Sequence, residues 1–233
     1  MHATLIVNTK QAVCKINLDP QEKETQSTSM MTGSFELLVA TRNQGKLREV
    51  ERLLSGLSLR TLLDFPEVGE VEETGATFEE NASLKASAYA AQTGLWTLAD
   101  DSGLEVLALD GAPGVLSARY AGASATDAER NALLLSRLSS IADADRRARF
   151  VSVIAIANAE GKVLHLSQGT CEGRLAQEPR GQNGFGYDPL FIPDGYTQTF
   201  GELPEEVKEK ISHRARALAK ARPFLLELWR SST

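Results

Sequence analysis

The chain has 233 residues, with 25 Lys or Arg against 31 Asp or Glu and a formal net charge of −6. That length can bury a substantial core as one or two domains, and the negative balance argues against general affinity for nucleic acid, so any phosphate site must be a local positive island. Cys14 and Cys171 are too few and too far apart for a zinc ribbon or a disulfide scaffold, and no apolar stretch approaches the ~18 residues of a membrane span. The opening residues also lack a basic region before an apolar core, which predicts a soluble, cytoplasmic protein with reduced thiols.

In chain order, residues 1–33 are mostly polar and read as a mobile leader, with Leu5-Ile6-Val7 as its one candidate strand. An apolar run at residues 35–40 then predicts a buried strand. It ends in Thr41-Arg42-Asn43-Gln44-Gly45-Lys46, after which Leu47, Val50, Leu53 and Leu54 recur at helical spacing. A strand–loop–helix junction points backbone N–H groups and the positive helix end at one place, which suits phosphates; Thr41 and Asn43 are short donors and Lys46 a mobile cation. The Walker A pattern is absent. In isolation Lys46 also reads as a solvated lysine opening a surface helix.

Residues 59–63 read as a strand, 67–73 as a Glu-rich segment, and 78–93 as an Ala-rich helix capped by Gly94. A strand at residues 95–99 is predicted to end in Asp100-Asp101-Ser102-Gly103. Adjacent carboxylates are costly to hold together unless a cation or proton shares them, and Gly103 lets the chain turn away. The same residues form an ordinary acidic turn elsewhere. Thr126-Asp127-Ala128-Glu129 resembles a capping box for a helix facing Leu133, Leu134 and Leu138 to a core. Residues 150–157 and 163–171 predict an antiparallel hairpin. Gly184-Phe185-Gly186-Tyr187-Asp188-Pro189 permits close approach to a ligand; Phe185 either offers a face for stacking a purine or plugs the core with Tyr187. A last helix is predicted to start near Ser212, with Pro223 kinking or restarting it. Parallel-type units plus a hairpin imply an α/β fold with a mixed sheet.

Thr41-x-Asn43-x-Gly45-Lys46, Glu73-Thr74-Gly75, Phe78-Glu79-Glu80-Asn81-Ala82-x-x-Lys85-Ala86, Ala99-Asp100-Asp101-Ser102-Gly103-Leu104, Gly111-Ala112-Pro113-Gly114, Ser117-Ala118-Arg119-Tyr120, Gly184-Phe185-Gly186-Tyr187-Asp188-Pro189 and Ile211-Ser212-His213-Arg214 stand in one order. Together they resemble the inosine/xanthosine triphosphate pyrophosphatases, over residues from about 35 to the C-terminus. The resemblance implies an elongated mixed sheet with helices in two lobes, the active site in the cleft between them, and a pyrophosphatase domain over residues 34–233. It implies hydrolysis of noncanonical purine nucleoside triphosphates (ITP, dITP, XTP) to the monophosphate and pyrophosphate, by a homodimer using Mg²⁺.

Carried over residue by residue, the resemblance makes Asp101 the catalytic acid/base and a metal-side carboxylate, with Glu73 the second. Residues Thr41, Arg42, Asn43, Gln44, Gly45 and Lys46 cradle the phosphates, joined by Lys85 and by Asn81 one helical turn before it, and by the Ser102 hydroxyl beside the metal. The base stacks on Phe185, flanked by Gly186 and Tyr187, with Asp188 closing the wall. Lys208, His213 and Arg214 donate to a 6-oxo group, so adenine leaves buried donors unpaired. Asp100, Glu79 and Glu80 have no assigned role; one of the two glutamates is expected to serve only the helix dipole. A covalent aspartyl phosphatase would need Asp-x-Asp, and a non-catalytic nucleotide sensor would have no use for carboxylates that repel a triphosphate.

Overall fold

The computed structural model describes residues 35–141 and 145–231. The leader and its candidate strand lie outside the described residues. Six strands form one sheet in the order β2-β1-β3-β4-β5-β6. Strands β1 (Glu36–Val39), β2 (Ser58–Thr61) and β3 (Trp96–Val106) pair in parallel, whereas β4 (Arg147–Ala157), β5 (Val163–Leu175) and β6 (Phe191–Pro193) continue antiparallel from β3. The expected mixed sheet is therefore present, and its hairpin is longer than the residue pattern indicated.

Helices cover both faces because the strands alternate apolar side chains to each. Helix α2 (Phe78–Thr93) lays Ala82, Ala86 and Ala90 against Ala99, Val153 and Ala155 on one face. On the other, α1 (Gln44–Leu53) and α5 (His213–Ser231) bury Leu47, Val50, Leu218 and Leu225 against Leu98, Ile154 and Ile156. Burying each such aliphatic side chain contributes roughly 1.5–3 kcal/mol. A third core gathers Leu104, Phe150, Phe191 and Phe200 with Leu134 and Leu138 of α3 (Asp127–Ser139), while Leu133 is half-buried. The short α4 (Glu205–Ile211) precedes α5.

Local chemistry sets the boundaries. Thr77 and Glu80 form a capping box on α2, Gly94 ends it in the left-handed conformation at φ +68°, and Thr126 and Glu129 cap α3 in the same way. Two expectations fail. Helix α5 does not restart at Pro223 but continues through it, because Ala217, Leu218, Ala221 and Leu225 anchor both sides of it in the core and outweigh the proline's cost. Strand β3 does not end at the Asp pair but continues to Val106, paired with β4 along its length. Gly103 makes no turn; a Cβ there would fall 2.4 Å from the Gly114 carbonyl and Ser117 Oγ, so the strand needs glycine for close approach.

The cleft lies where β1 stops. Strand β1 pairs with β3 only as far as Leu98, and the Ala40 N–H to Leu98 carbonyl bond of 2.8 Å is the last contact between them. From Ala99 onward that edge of β3 is open, and side chains from both faces reach one opening.

Candidate functional site

Extended backbone sends Asp100 and Asp101 to opposite faces of the sheet. They are not a pair sharing one cation, as the sequence reading had it. Each has its own.

On the α1/α5 face, Asp100 is buried and accepts from Ser152 Oγ at 2.5 Å, Ser102 Oγ at 3.0 Å, Lys46 Nζ at 3.0 Å and Arg214 Nε at 3.3 Å. Burial opposes its charge, but Arg214, Lys46 and the Ser152 hydroxyl outweigh that and hold the carboxyl well below the usual range. Ser102 thus sits with Asp100 and with Arg214 Nη2 at 2.9 Å, on the opposite side of the strand from Asp101, so the expected place beside a metal-side carboxylate is not where it stands.

On the α2 face, Lys85 Nζ lies 2.5 Å from Glu73 Oε1, 3.0 Å from Asp101 Oδ1 and 2.9 Å from the Asp100 carbonyl. Burial pushes the Asp101 carboxyl up, and Lys85 and Lys46 offset only part of this. Its Oδ2 is buried and has no hydrogen-bond partner. Glu73 is braced from the other side by Arg119, with Nη1 3.4 Å from Oε2 and Nη2 3.3 Å from the Glu73 carbonyl. Asn81, expected beside Lys85 at the phosphates, is instead fully buried, its Oδ1 accepting the Gly75 N–H at 2.7 Å. It shapes the Glu73 loop. Glu80 is spent on the α2 capping box, while Glu79 is exposed.

The loop before α1 is partly self-satisfied. Asn43 caps the helix, its Oδ1 accepting from the N–H groups of Gly45 at 2.9 Å and Lys46 at 3.0 Å, and Thr41 Oγ1 accepts the Asn43 N–H. Asn43 and Lys46 line the cleft. Arg42 turns to the Val68 carbonyl at 2.8 Å, and Gln44 is exposed; neither lines the cleft, nor do Thr41, Gly45 and Lys85.

At the other end of the cleft, Phe185 is half-buried against Gly45, where a Cβ would lie 2.5 Å from its ring, and Lys208 Nζ stands 4.8 Å from the ring centroid. Gly186, Tyr187 and Asp188 line the same wall. Tyr187 is buried, its hydroxyl donating to the Ser117 carbonyl at 3.0 Å, so of the two aromatics it is the one that plugs the core. Asp188 Oδ2 accepts the Phe185 N–H at 2.8 Å and pairs with Lys208. Glu49, which sequence reasoning missed, bridges Lys208 at 2.7 Å and Arg214. It had been indistinguishable from the other polar positions of α1. His213 stacks on Phe150 with ring centroids 4.6 Å apart, and its Nδ1 is buried without a partner. Burial, then the Arg214 and Lys208 cations, hold its pKa well below the ordinary value, so the ring is neutral. Asp127 and Arg130 of α3 also line the cleft, again unforeseen because both read as ordinary helix-start charges.

The sequence model of the Ham1 family matches residues 37–224. The chain belongs to the Ham1 family. A dITP/XTP pyrophosphatase of Deinococcus deserti is 54% identical over 184 residues, covering 79% of this chain and 86% of that protein. One from an Exiguobacterium species is 50% identical over 188 residues, covering 80% and 94%. Among solved structures of the family, a HAM1 protein from Coxiella burnetii superposes with a TM-score of 0.75 at 46% identity, covering 83% of this chain and 99% of that one.

Proposed function

We propose that this chain hydrolyses ITP, dITP and XTP to the nucleoside monophosphate and pyrophosphate, removing noncanonical purines from the nucleotide pool. The observation that carries the reading is Asp101: a buried carboxylate with its pKa raised and one oxygen unpartnered, opening on a cleft that has cations at one end and an aromatic ring at the other. Kinship with the dITP/XTP pyrophosphatases supports it.

Asp101 takes the proton of a water attacking the α-phosphorus; the new bond is water oxygen to phosphorus, and the bond to the bridging oxygen breaks to release pyrophosphate. Lys46 balances the phosphate charge with Asn43 beside it in the cleft, and Lys85 adds its field from behind Asp101 and Glu73. Among the described residues no three metal-ligating side chains cluster, so the donor set is Glu73 with the free oxygen of Asp101. That fits Mg²⁺, which is held by one or two carboxylates and completes its shell with waters and phosphate oxygens. When bound, it neutralises charge on the triphosphate.

The base stacks on Phe185. Arg214 and Lys208 are already engaged by carboxylates, which leaves neutral His213 as the member of the donor trio with a ring nitrogen free to recognise the purine edge. A homodimer in the cytoplasm, with no membrane or nucleic-acid partner and its cleft between two lobes, completes the reading. Among the described residues no helix is long and apolar enough to cross a membrane.

The test is pyrophosphate release across the common and deaminated nucleoside triphosphates, with and without Mg²⁺. Release confined to the deaminated set in the presence of Mg²⁺ is expected. Equal rates with ATP would overturn the base preference, and tight ITP binding without turnover would make the protein a sensor.

A further inference from the structure

The first turn and a half of α3 holds one residue of the Phe185 loop, Gly186, through the N–H and the carbonyl of its two flanking peptides. Asp127 Oδ2 accepts the Gly186 N–H at 2.7 Å, and Asn131, four residues on and so on the same helix face, donates its Nδ2 to the Gly186 carbonyl at 3.0 Å. Gly186 has φ +61° with nothing within 4 Å of where a Cβ would stand, so its glycine answers to backbone conformation and not to space. The capping box of Thr126 and Glu129 fixes the start of α3, and Arg130 holds the second oxygen of Asp127. Asn131 is 4% exposed although it belongs to a helix whose polar residues mostly face solvent. Phe185 is the residue before Gly186, and its own N–H is taken by Asp188. Helix α3, which supplies no residue to the Asp101–Glu73–Lys85 cluster, thus fixes the backbone that follows the ring.

We propose that Asp127 and Asn131 are positioning residues for base recognition, acting through the Gly186 backbone to hold the Phe185 ring where the purine stacks. This rests on Phe185 being the base platform. Losing the grip frees the loop, so the platform must be ordered anew on each binding event, which costs affinity and leaves the phosphate chemistry intact.

The experiment is a double-mutant cycle on the full chain with ITP as substrate, using Asp127→Ala, Phe185→Ala and the double variant, together with Asn131→Leu and Asp127→Asn. Asp127→Ala is expected to raise KM about tenfold and change kcat less than about threefold. Asp127→Asn, which keeps an acceptor oxygen, is expected to restore most of the KM. The double variant is expected to be no worse than Phe185→Ala alone, because two residues acting through one ring are not additive. If Phe185→Ala leaves KM unchanged, the base-platform reading fails. If Phe185→Ala raises KM but Asp127→Ala does not, or the two effects multiply, the positioning role fails while the platform stands. Should Asn131→Leu not fold, Asp127→Ala decides, since that side chain is 44% exposed at the helix start.

Discussion

The two ends of the cleft hold their charges differently. At the Phe185 end Glu49, Asp188, Lys208, Arg214 and Asp100 form a closed chain in which each buried charge meets at least one opposite partner. At the Asp101 end, Asp101 and Glu73 share one buried ammonium, with the exposed Arg119 guanidinium beside Glu73 alone, and one oxygen of Asp101 has nothing to bond. A closed network resists rearrangement; an incomplete one is poised to take a new partner. On the proposed reading, recognition uses the stiff end and chemistry the unsatisfied one.

The largest expected effect comes from Asp101→Asn. The side chain keeps its shape and loses its ability to accept a proton, so kcat for ITP should fall by ~10²–10⁴-fold. Equilibrium binding of ITP should change far less, and the melting temperature should not drop, because an uncomfortable buried carboxylate is exchanged for a neutral amide. Near-normal turnover would remove Asp101 from the chemistry.

Glu49→Gln probes the stiff end. It leaves Lys208 and Arg214 short of a buried counter-charge, and removing one member of a buried ion pair typically costs about 3–5 kcal/mol. Urea unfolding should register a loss near the lower figure, since Asp188 and Asp100 still face the two cations. A loss below about 1 kcal/mol would mean that this network is no stiffer than the surface, and the contrast between the two ends would collapse.

Local periodicity and short motifs showed the strand–loop–helix opening, the capped helices and the hairpin, while most residues of the cleft were legible only through the ordered motifs that carry the family resemblance. The sequence could not show that β3 runs past the Asp pair. That depends on β4 pairing through Ser102 and on Ser117 and Gly114 closing over Gly103, contacts made across distances in the chain that no local pattern records. The same limit hid Glu49, Asp127 and Asn131. Their types are ordinary for helix positions, and only tertiary packing gives them partners: Lys208 of α4 and Arg214 of α5 for Glu49, and Gly186 for Asp127 and Asn131. Phe185 was ambiguous as platform or plug; the fold leaves its ring half-buried, whereas Tyr187 is buried with its hydroxyl on the Ser117 carbonyl.

His213 offers a smaller, pH-dependent test of the stiff end. It is buried and neutral in the fold, with Arg214, Lys208 and Lys46 disfavouring its charge and Asp100 partly offsetting them, so its folded pKa lies well below 6.5 while the unfolded chain titrates near that value. Between the two values the unfolded state binds the extra proton. Stability therefore falls as pH drops below 6.5, by up to about 1.4 kcal/mol per pH unit from this one group. His213→Gln should flatten the slope of unfolding free energy against pH in that window. It should not abolish it, because burial also lowers the pKa of His165. An unchanged slope would place the protonation elsewhere.

The smallest effect separates the two duties of Asn43. Its Oδ1 receives the Gly45 and Lys46 N–H groups, the same donors that the sequence reading aimed at phosphate, yet the residue also lines the cleft. As a helix cap it is worth about 1 kcal/mol, and replacement by Ala should cost that much stability. Asn43→Asp keeps the acceptor and so the cap, while adding a negative charge at the mouth of a site proposed to hold a triphosphate. If Asn43 only caps, Asp substitution should be neutral for stability and for KM alike. If the loop cradles phosphate, Asp should retain the melting temperature and raise KM for ITP, with the penalty shrinking as salt is added, since screening weakens repulsion between exposed charges. The expected result is the second. A KM that stays flat across Asn, Ala and Asp would leave the positive end of α1 as structure alone and shift the whole burden of phosphate binding to Lys46 and Lys85.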